Sequence, residues 1–386
     1  MLSGPVLARF RKKLLCWFAE FRRDLPWRRT KDPYRIWLSE IMLQQTRVAT
    51  AIPYYERFLD AFPHVNSLAQ APEEEVLRHW AGLGYYSRAR NLQKAARQIV
   101  AEHDSQFPDS LENALALSGI GAYMAAAILS IAYGKKLAVL DGNVARVIAR
   151  LGAVRGDLRS GLRWQQLQKK ADELLAFQAP GDWNQAMMEL GATVCTPRSP
   201  QCLLCPVAEF CEARKLGLTD VIPEKRRQRA VVEITLAALV LVDLQGRTLV
   251  LPHTKSPEVQ AVTHDVATLL SRMWHFPTIQ VKKDAARELR AFVTGSIFSG
   301  SKFPGKLRAL SKVRHAVTYR QITLFPFRLD VSRLPHLGRA KALPLDDLSS
   351  VPVSNLTRKV ARAALATERI GVRTASESES LLGLSS

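Results

Sequence analysis

Residues Cys195 to Cys211 read CTPRSPQCLLCPVAEFC, and this stretch organises the interpretation of the whole chain. It holds four of the five cysteines, with six, two and five residues between successive ones. Four thiolates so close together suit one inorganic centre, either structural zinc or a [4Fe–4S] cluster. Zinc ribbons carry two Cys-x-x-Cys pairs, and here there is one pair with an outlying cysteine on each side. We therefore favour iron–sulfur over zinc, in a loop whose three prolines interrupt helix formation.

The charge balance indicates the class of partner. The chain has 386 residues, enough for two or three domains, and its 47% hydrophobic content is ordinary for a globular protein. Lys and Arg number 55 against 35 Asp and Glu, which gives a net charge of +20. Such an excess predicts a polyanion as partner, nucleic acid first and an anionic membrane surface second. The sequence contains neither a membrane-spanning apolar run nor a cleavable signal, so we expect a cytoplasmic protein, nucleoid-associated in a bacterium, with reduced thiols.

The pattern of apolar residues divides the chain into domains. Residues 1–216 show helical periodicity interrupted by prolines, and we expect an all-α domain that includes the cysteine loop at 195–211. A basic linker follows over 217–230, then an α+β domain over 231–366 and a Ser- and Glu-rich tail over 367–386 that we expect to be disordered. In the α+β domain we predict strands at Val231–Val242, Thr248–Leu251 and Ile322–Val331, and helices at Asp284–Phe292 and Leu356–Ala364.

Two glycine turns lie within the helical domain. Gly119 and Gly121 precede an alanine-rich helical run, so backbone N–H groups at that helix N-terminus would face outward and suit a phosphate. Gly82 and Gly84 precede Tyr85 and a basic stretch that begins with Arg88, a combination suited to a DNA-facing loop. Each pattern alone is equally compatible with a plain helix–helix turn or with core packing of a tyrosine.

Taken together, five ordered motifs resemble the adenine DNA glycosylase (MutY) branch of the helix-hairpin-helix glycosylase superfamily. The motifs are WLSEIMLQQT from Trp37, GLGYY from Gly82, LSGIG from Leu117, LDGNV from Leu140, and the cysteine loop. The resemblance implies a helix-hairpin-helix core and assigns Cys195, Cys202, Cys205 and Cys211 to a [4Fe–4S] cluster rather than zinc. It implies a monomeric base-excision repair enzyme that acts on double-stranded DNA and removes adenine mispaired with 8-oxoguanine or guanine.

Two carboxylates are the candidates for the chemistry. Cleavage of a glycosidic bond passes through an oxocarbenium-like transition state and uses carboxyl groups in two distinct roles. Adenine leaves only when its ring is protonated, so one carboxyl must be buried enough to hold a proton near neutral pH. By resemblance, Glu40 protonates the purine and then activates water, while Asp141 stabilises the sugar cation and Asn143 orients the carboxyls. Without the family, Glu40 reads as a solvated helix residue, Asp141 as a turn or helix N-cap, and Asn143 as a core or cap residue.

Tyr123 distinguishes between branches of the superfamily. Relatives of the endonuclease III type place a lysine at this position and use it to form a Schiff base that cuts the strand. Tyrosine cannot form a Schiff base, so we predict a monofunctional glycosylase in which Tyr123 hydrogen-bonds Glu40 or Asp141. Thymine-mismatch relatives also carry tyrosine here, and Glu40 favours adenine over thymine as the substrate.

The remaining residues that the resemblance assigns to DNA contact surround the flipped base. A base must leave the duplex before its glycosidic bond can be cut. Gln44 matches the family's wedge residue, which fills the space that the flipped base leaves, and Tyr85 matches the aromatic beside the opposing oxidised guanine. Without the family, Gln44 would be interpreted as a surface amide and Tyr85 as a core aromatic. The complete predicted DNA-binding set is Gln44, Gln45, Thr46, Tyr85, Arg88, Gly119 and Gly121.

The second domain resembles, more weakly, the family's C-terminal domain, which is related to Nudix hydrolases and recognises 8-oxoguanine. The stretch LSRMWHFP from Leu270 and the stretch RHAVTY from Arg314 carry the likeness. It implies that His315, Thr318 and Tyr319 read the lesion, although Val317, Thr318 and Tyr319 depart from the family pattern. We find no acidic Nudix metal motif and expect no pyrophosphatase activity. A thymine-mismatch or endonuclease III-like glycosylase, and a lesion-binding protein with weak catalysis, remain the alternatives.

Overall fold

A computed structural model describes residues 3–224, 230–252, 273–298, 303–317 and 319–366. The predicted tail at 367–386, all four basic residues of the linker, Thr318 and Leu270–Arg272 lie outside these ranges. Contacts group the described residues into two units, one of residues 3–71 and 88–224 and one of residues 72–87 and 230–366. The boundary predicted between residues 216 and 231 remains a prediction, and residues 72–87 group with the second unit although we assigned them to the helical domain. No helix in the described ranges combines the length and apolarity needed to cross a membrane.

The first unit is helical, as the apolar periodicity predicts. Its helices are α1 (Gly4–Phe21), α2 (Pro33–Leu43), α3 (Val48–Ala61), α4 (Val65–Gln70), α6 (Ser87–Glu102), α7 (Leu111–Ala116), α8 (Ala122–Tyr133), α9 (Gly142–Leu151), α10 (Gly161–Leu174), α11 (Pro180–Thr193) and α12 (Glu212–Lys215). Helix α5 (Glu73–Trp80) belongs to the second unit. Helix α8 contacts α2 and α11, and α11 also contacts α1 and α9, so α8 and α11 form the centre of the bundle.

Local sequence fixes where the central helices begin and end. Helix α2 starts where the Asp32 carboxylate accepts a hydrogen bond from the Tyr34 N–H at 2.9 Å, with Pro33 in the first turn. Helix α8 is almost wholly apolar and buried, and it ends at Gly134, which takes the left-handed conformation (φ +67°). A helix that is apolar all round must lie inside its bundle, and α8 does so.

Among its described residues, the second unit has a mixed sheet of seven strands. Its strands are β1 (Val232–Val242), β2 (Arg247–Val250), β3 (Thr278–Gln280), β4 (Arg308–Ala309), β5 (Val313–Val317), β6 (Arg320–Asp330) and β7 (Lys341–Pro344). The order along the sheet is β4-β6-β1-β2-β7, with β3 paired to β1 and β5 paired to β6. Strands β1 and β6 are parallel, from Val232 opposite Arg320 to Val242 opposite Asp330, and the other pairs are antiparallel.

Both faces of this sheet are covered, which explains the unbroken apolar run of β1. Alternate β1 residues enter two separate cores, Leu236, Ala238 and Val240 on one face and Ala237, Leu239 and Leu241 on the other. The first core includes the helical segment 355–366, and the second includes α13 (Ala285–Ser296). A strand buried on both faces needs apolar residues at every position. The three predicted strands and both predicted helices form, and strands β3, β4, β5 and β7 are additions that the sequence did not reveal.

Candidate active site

A cavity of about 590 Å³, open to solvent on one side, lies between helices of the first unit. Its size falls in the range of roughly 300–1,000 Å³ typical of ligand sites. Helices α2, α8, α9 and α11 each direct polar side chains into it. The residues that line it include Glu40, Tyr123, Asp141, Asn143, Met188 and Glu189.

Glu40 is a buried carboxyl on α2, with only 8% of the residue exposed. Burial disfavours its charged form and raises its pKa from 4.5 to about 7. The hydrogen bond from Tyr123 and the positive charge of Arg28 pull this pKa down, while the negative charge of Asp141 pushes it up. Glu40 therefore holds a proton for about half of the time at pH 7, as a general acid requires.

Tyr123, in the first turn of α8, makes the contact that the sequence predicted with one of the two carboxyls. Its hydroxyl donates a hydrogen bond to Oε2 of Glu40 at 2.7 Å, and its oxygen lies 3.2 Å from Sδ of Met188. Burial, together with the charges of Glu40 and Asp141, raises the pKa of Tyr123 well above its usual range. The tyrosine is therefore neutral at physiological pH and keeps the proton that it donates to Glu40.

Asp141 is both the N-cap of α9 and part of the cavity wall. Its Oδ1 accepts a hydrogen bond from the Val144 N–H at 2.7 Å, and its Oδ2 accepts one from Nδ2 of Asn143 at 3.2 Å. Burial raises the pKa of Asp141, and these hydrogen bonds and the charge of Arg146 oppose the rise. The prediction that Asp141 is a helix N-cap is confirmed. At this position the helix dipole also stabilises the negative charge of the carboxylate.

Asn143 connects Asp141, through Arg146, to the cysteine loop. Nη2 of Arg146 donates to Oδ1 of Asn143 at 2.9 Å, and Nε of Arg146 donates to the carbonyl of Cys195 at 2.9 Å. Helix α11 approaches Asn143 so closely that a Cβ on Gly191 would lie 2.8 Å from Cβ of Asn143. Only glycine permits this approach, and the approach fixes the position of the asparagine.

Glu189 and its arginines are a part of the cavity that sequence analysis missed. The Glu189 side chain is 1% exposed and lies 2.6 Å from Arg23 and 2.8 Å from Arg28. Burial alone would raise its pKa, but hydrogen bonds from both arginines lower it to about 2. The available signal was a glutamate in the otherwise apolar run Met187-Met188-Glu189-Leu190 of α11. Its partners lie more than 160 positions away, where no local pattern connects them.

The predicted wedge residues follow α2 and border the cavity. Gln44, Gln45 and Thr46 all line it, and Gln45 is exposed with φ +60°, a conformation uncommon outside glycine. Arg88 is placed differently from the DNA-facing position that we expected. It is buried, and its guanidinium donates to the carbonyls of Ile41 (2.8 Å) and Met42 (3.1 Å) and to that of Gln44. This geometry favours Arg88 as the support of the wedge turn, and its contact with DNA stays a prediction.

The glycine hairpin before α8 has the conformation that its sequence requires. Gly119 has φ +79° and is exposed, and Gly121 is the exposed N-cap of α8. The first N–H groups of a helix have no acceptor within that helix. They therefore remain available to an anion at this exposed end, as phosphate binding would need.

The four cysteines of the loop line one common pocket, together with Arg150. Burial raises the pKa of the Cys205 thiol to about 12 and raises that of Cys211, so these sulfurs need the positive charge of a metal to become thiolates. Four cysteine sulfurs around one pocket are the ligand set that a [4Fe–4S] cluster requires.

Arginines secure the loop that holds this cluster. Arg150 is 2% exposed, and its Nη1 donates to Sγ of Cys195 at 3.3 Å and to the carbonyl of Thr196 at 2.7 Å. Its Nε donates to the carbonyl of Ile222 at 2.7 Å. Hydrogen bonds to a ligand sulfur tune a cluster and hold its ligands in place. When bound, the cluster cross-links four points of this loop.

The residues predicted to read the lesion lie in the second unit. His315 is half-buried in β5, and burial together with the charge of Lys359 lowers its pKa. Tyr319 is half-buried in the turn between β5 and β6, whereas Thr318 lies outside the described residues. Tyr85, which groups with the same unit, is 43% exposed with φ +48°. An exposed aromatic with an uncommon backbone conformation is compatible with the predicted contact to DNA, which stays a prediction.

Comparisons with known proteins indicate the family to which the chain belongs. A family model described as HhH-GPD superfamily base excision DNA repair protein matches residues 38–173, and one described as the iron-sulfur binding domain of endonuclease III matches residues 195–211. An adenine DNA glycosylase of Rattus norvegicus is 33% identical over 92% of this chain and 77% of its own length. The chain belongs to the adenine DNA glycosylase family. The prediction of a [4Fe–4S] cluster in place of zinc is likewise confirmed.

Other relatives match a smaller part of the chain. The adenine DNA glycosylases of Homo sapiens and Mus musculus are 49% and 46% identical over 53% of the chain, and the matches span 39% and 41% of their own lengths. The chain thus spans less than half the length of these two relatives. A solved structure of a thermostable thymine-DNA glycosylase covers 54% of the chain and 97% of its own, with TM-score 0.51 and 29% identity. The sequence match to adenine glycosylases extends further along the chain than this structural likeness does.

Proposed function

We propose that this protein excises adenine from double-stranded DNA by hydrolysing the bond between the base and deoxyribose. The observation that carries the proposal is Glu40, a buried carboxyl whose pKa of about 7 lets it donate a proton near neutral pH. It faces a cavity large enough for a flipped nucleotide, and Asp141 lines the same cavity. The names of the relatives and the net charge of +20 favour adenine in DNA as the substrate.

The two carboxyls divide the chemistry because their surroundings differ. Glu40 is desolvated and keeps its proton, which it would deliver to a ring nitrogen of adenine so that the base leaves neutral. Asp141 sits at a helix N-terminus with three hydrogen-bond or charge partners for its ionised form, so it would stabilise the positive charge that develops on the sugar. After departure of the base, ionised Glu40 would accept a proton from the attacking water.

Arg28 is the residue best placed to orient the base. Its guanidinium has five N–H donors, of which Nη1 binds the Arg23 carbonyl at 3.0 Å and Nη2 binds Glu189 at 2.8 Å. The Glu189 carboxylate already accepts four hydrogen bonds from these two arginines, so it acts mainly as their anchor. The donors that Arg28 has left would meet acceptor nitrogens of the adenine ring in the cavity that it lines.

We further propose that the enzyme is monofunctional. A lysine at position 123 would provide an amine for a Schiff base, and Tyr123 provides a hydroxyl that is bound to Glu40. The enzyme would therefore leave an abasic site, with the strand intact. Gln44 would fill the gap left by the flipped base, and the N–H groups at Gly121 would bind a phosphate.

For the second unit we propose a Nudix-like domain that reads the base opposite adenine. The mixed sheet between helices is compatible with this, and the proposed contacts are His315, Thr318 and Tyr319 with Tyr85. The opposing base would be 8-oxoguanine or guanine. The enzyme would work as a monomer on duplex DNA.

The decisive experiment is single-turnover base release from duplexes with A opposite 8-oxoguanine, A opposite G, and T opposite G. Each reaction is read with and without alkali, since an abasic strand breaks only in alkali. Breaks in the adenine strand after alkali alone are expected, with A opposite 8-oxoguanine faster than A opposite G. Glu40→Gln is the matched control and should bind the same duplexes without release of the base.

Breaks in the thymine strand would favour the thymine-mismatch alternative, and breaks without alkali would contradict the monofunctional proposal. Binding without release by the native protein would favour a lesion-binding role.

A further inference from the structure

Met188 occupies an unusual position for a methionine. It lies on α11, is half-buried, lines the catalytic cavity, and its Sδ is 3.2 Å from the Tyr123 hydroxyl oxygen. That hydroxyl has one proton, which it donates to Glu40 at 2.7 Å. A thioether sulfur is a weak hydrogen-bond acceptor. Tyr123 therefore keeps its hydrogen bond to Glu40 as long as Met188 is not oxidised.

Met188 is also the methionine most accessible to solvent among those that the structure describes. Oxidation of methionine by peroxide follows exposure of the sulfur. The other described methionines are each at most 2% exposed, namely Met42, Met124, Met187 and Met273. A small oxidant that enters the cavity therefore meets one methionine sulfur, and it meets that sulfur beside the catalytic acid.

We propose that Met188 is an oxidative modification site whose conversion to the sulfoxide switches off base excision. The inference rests on the proposed function, in which Glu40 and Tyr123 act in this cavity. The oxidant is a two-electron peroxide. Its O–O bond breaks, one oxygen forms a bond to Sδ, the sulfur loses two electrons, and the second oxygen leaves as water.

The sulfoxide changes the hydrogen bonding of Tyr123. Its oxygen is a strong acceptor and is introduced where only 3.2 Å now separates the sulfur from the tyrosine hydroxyl. Tyr123 then donates its single proton to the sulfoxide or is displaced by it, and Glu40 loses its hydrogen bond in either case. The polar oxygen also occupies space in the cavity that receives the base. Because the tyrosine hydrogen bond lowers the pKa of Glu40, its loss raises that pKa.

The test compares the full-length, cluster-containing protein before and after treatment with hydrogen peroxide. Dithiothreitol then reverses oxidation of thiols such as the exposed Cys16 but leaves sulfoxides intact. Excision by the treated protein should fall about tenfold or more, as expected for loss of one hydrogen bond to a charged group. The alkaline limb of the pH–rate profile should also move upward, a change that simple blockage of the cavity would not produce. Visible absorbance checks that the cluster survives.

Two methionine variants give the matched comparison, each measured against its own rate before treatment. Met188→Leu should resist peroxide, whereas Met187→Leu, which changes the buried neighbour, should lose activity as the native protein does. In the native protein, the loss should follow the fraction of Met188-containing peptide that gains one oxygen by mass spectrometry. Equal loss in Met188→Leu, or full oxidation of Met188 with an unchanged rate, would overturn the inference alone. Absence of base release before treatment would instead overturn the proposed function and this inference with it.

Discussion

Replacing Glu40 with glutamine tests the central claim that a proton resides on this carboxyl near neutral pH. A glutamate with its ordinary pKa of 4.5 is about 0.3% protonated at pH 7, while one with a pKa of about 7 is about half protonated. Burial thus increases the population of the acid form on the order of 100-fold. We expect the native rate of base release to fall about tenfold per pH unit above pH 7. Glu40→Gln should lose about 100- to 10,000-fold at pH 7 and below.

The same substitution has a consequence for stability that does not involve DNA. Because folding raises the pKa of Glu40, its contribution to stability is complete below about pH 4.5 and is lost as the pH rises through about 7. Each unit of pKa shift corresponds to about 1.4 kcal/mol. Between pH 5.5 and pH 8, the native protein should therefore lose about 2 kcal/mol relative to Glu40→Gln, which never ionises.

Pulse proteolysis in a urea series measures this difference on the intact protein at pH 5.5 and pH 8. Glu189→Gln is the control because hydrogen bonds lower the pKa of Glu189 to about 2. Its contribution is present above about pH 4.5, so that variant should be destabilised equally at both pH values. A native rate that stays flat up to pH 9, with parallel stabilities of the native protein and Glu40→Gln, would refute the assignment of the proton to Glu40.

Three further substitutions test single contacts. Tyr123→Phe removes the donor to Glu40 and should move the alkaline limb of the pH–rate profile upward, and an unmoved limb would contradict the hydrogen bond at 2.7 Å. Gly119→Ala should cost about 1–2 kcal/mol, since φ is +79° and the new Cβ would meet Cβ of Asn91 at 2.7 Å. It should also weaken binding to a non-substrate duplex, and unchanged affinity would argue against the hairpin as a phosphate site. Arg146→Lys should destabilise the first unit by about 3 kcal/mol and lower its iron content, because lysine cannot reach the three acceptors together; normal stability and iron content would contradict this.

The positions of the candidate site residues could be predicted from the sequence because each lies in a short motif with a fixed local conformation. Asp141 precedes Gly142 at a helix start, so its place could be read from the sequence, and its cap to Val144 forms as expected. Tyr123 follows the glycine hairpin by two positions, and its bond to Glu40 was one of two contacts predicted. The roles of these residues in catalysis remain predictions that the experiments above address.

The sequence could not predict contacts between residues that lie far apart along the chain. Glu189 contacts Arg23 and Arg28 only after α11 packs beside α1. No pattern in the sequence of either segment predicts this contact. Arg88 follows a glycine turn and reads as a surface cation, yet folding uses its guanidinium to bind carbonyls at the end of α2. The parallel pairing of β1 with β6 joins strands about 90 residues apart, so it too has no local signature.

The contacts of α9 connect the cysteine loop to the candidate active site. Asp141 caps the start of this helix, Arg146 lies one turn further on, and Arg150 follows four residues later on the same face. Arg146 binds Asn143 and the carbonyl of Cys195, and Arg150 binds the sulfur of that cysteine at 3.3 Å. Both guanidiniums are buried, so a loop without its cluster would leave buried cations short of acceptors. Relaxation of those cations would shift the helix that Asp141 caps. Asp141 and Cys195 are therefore far apart in sequence but are connected through one helix.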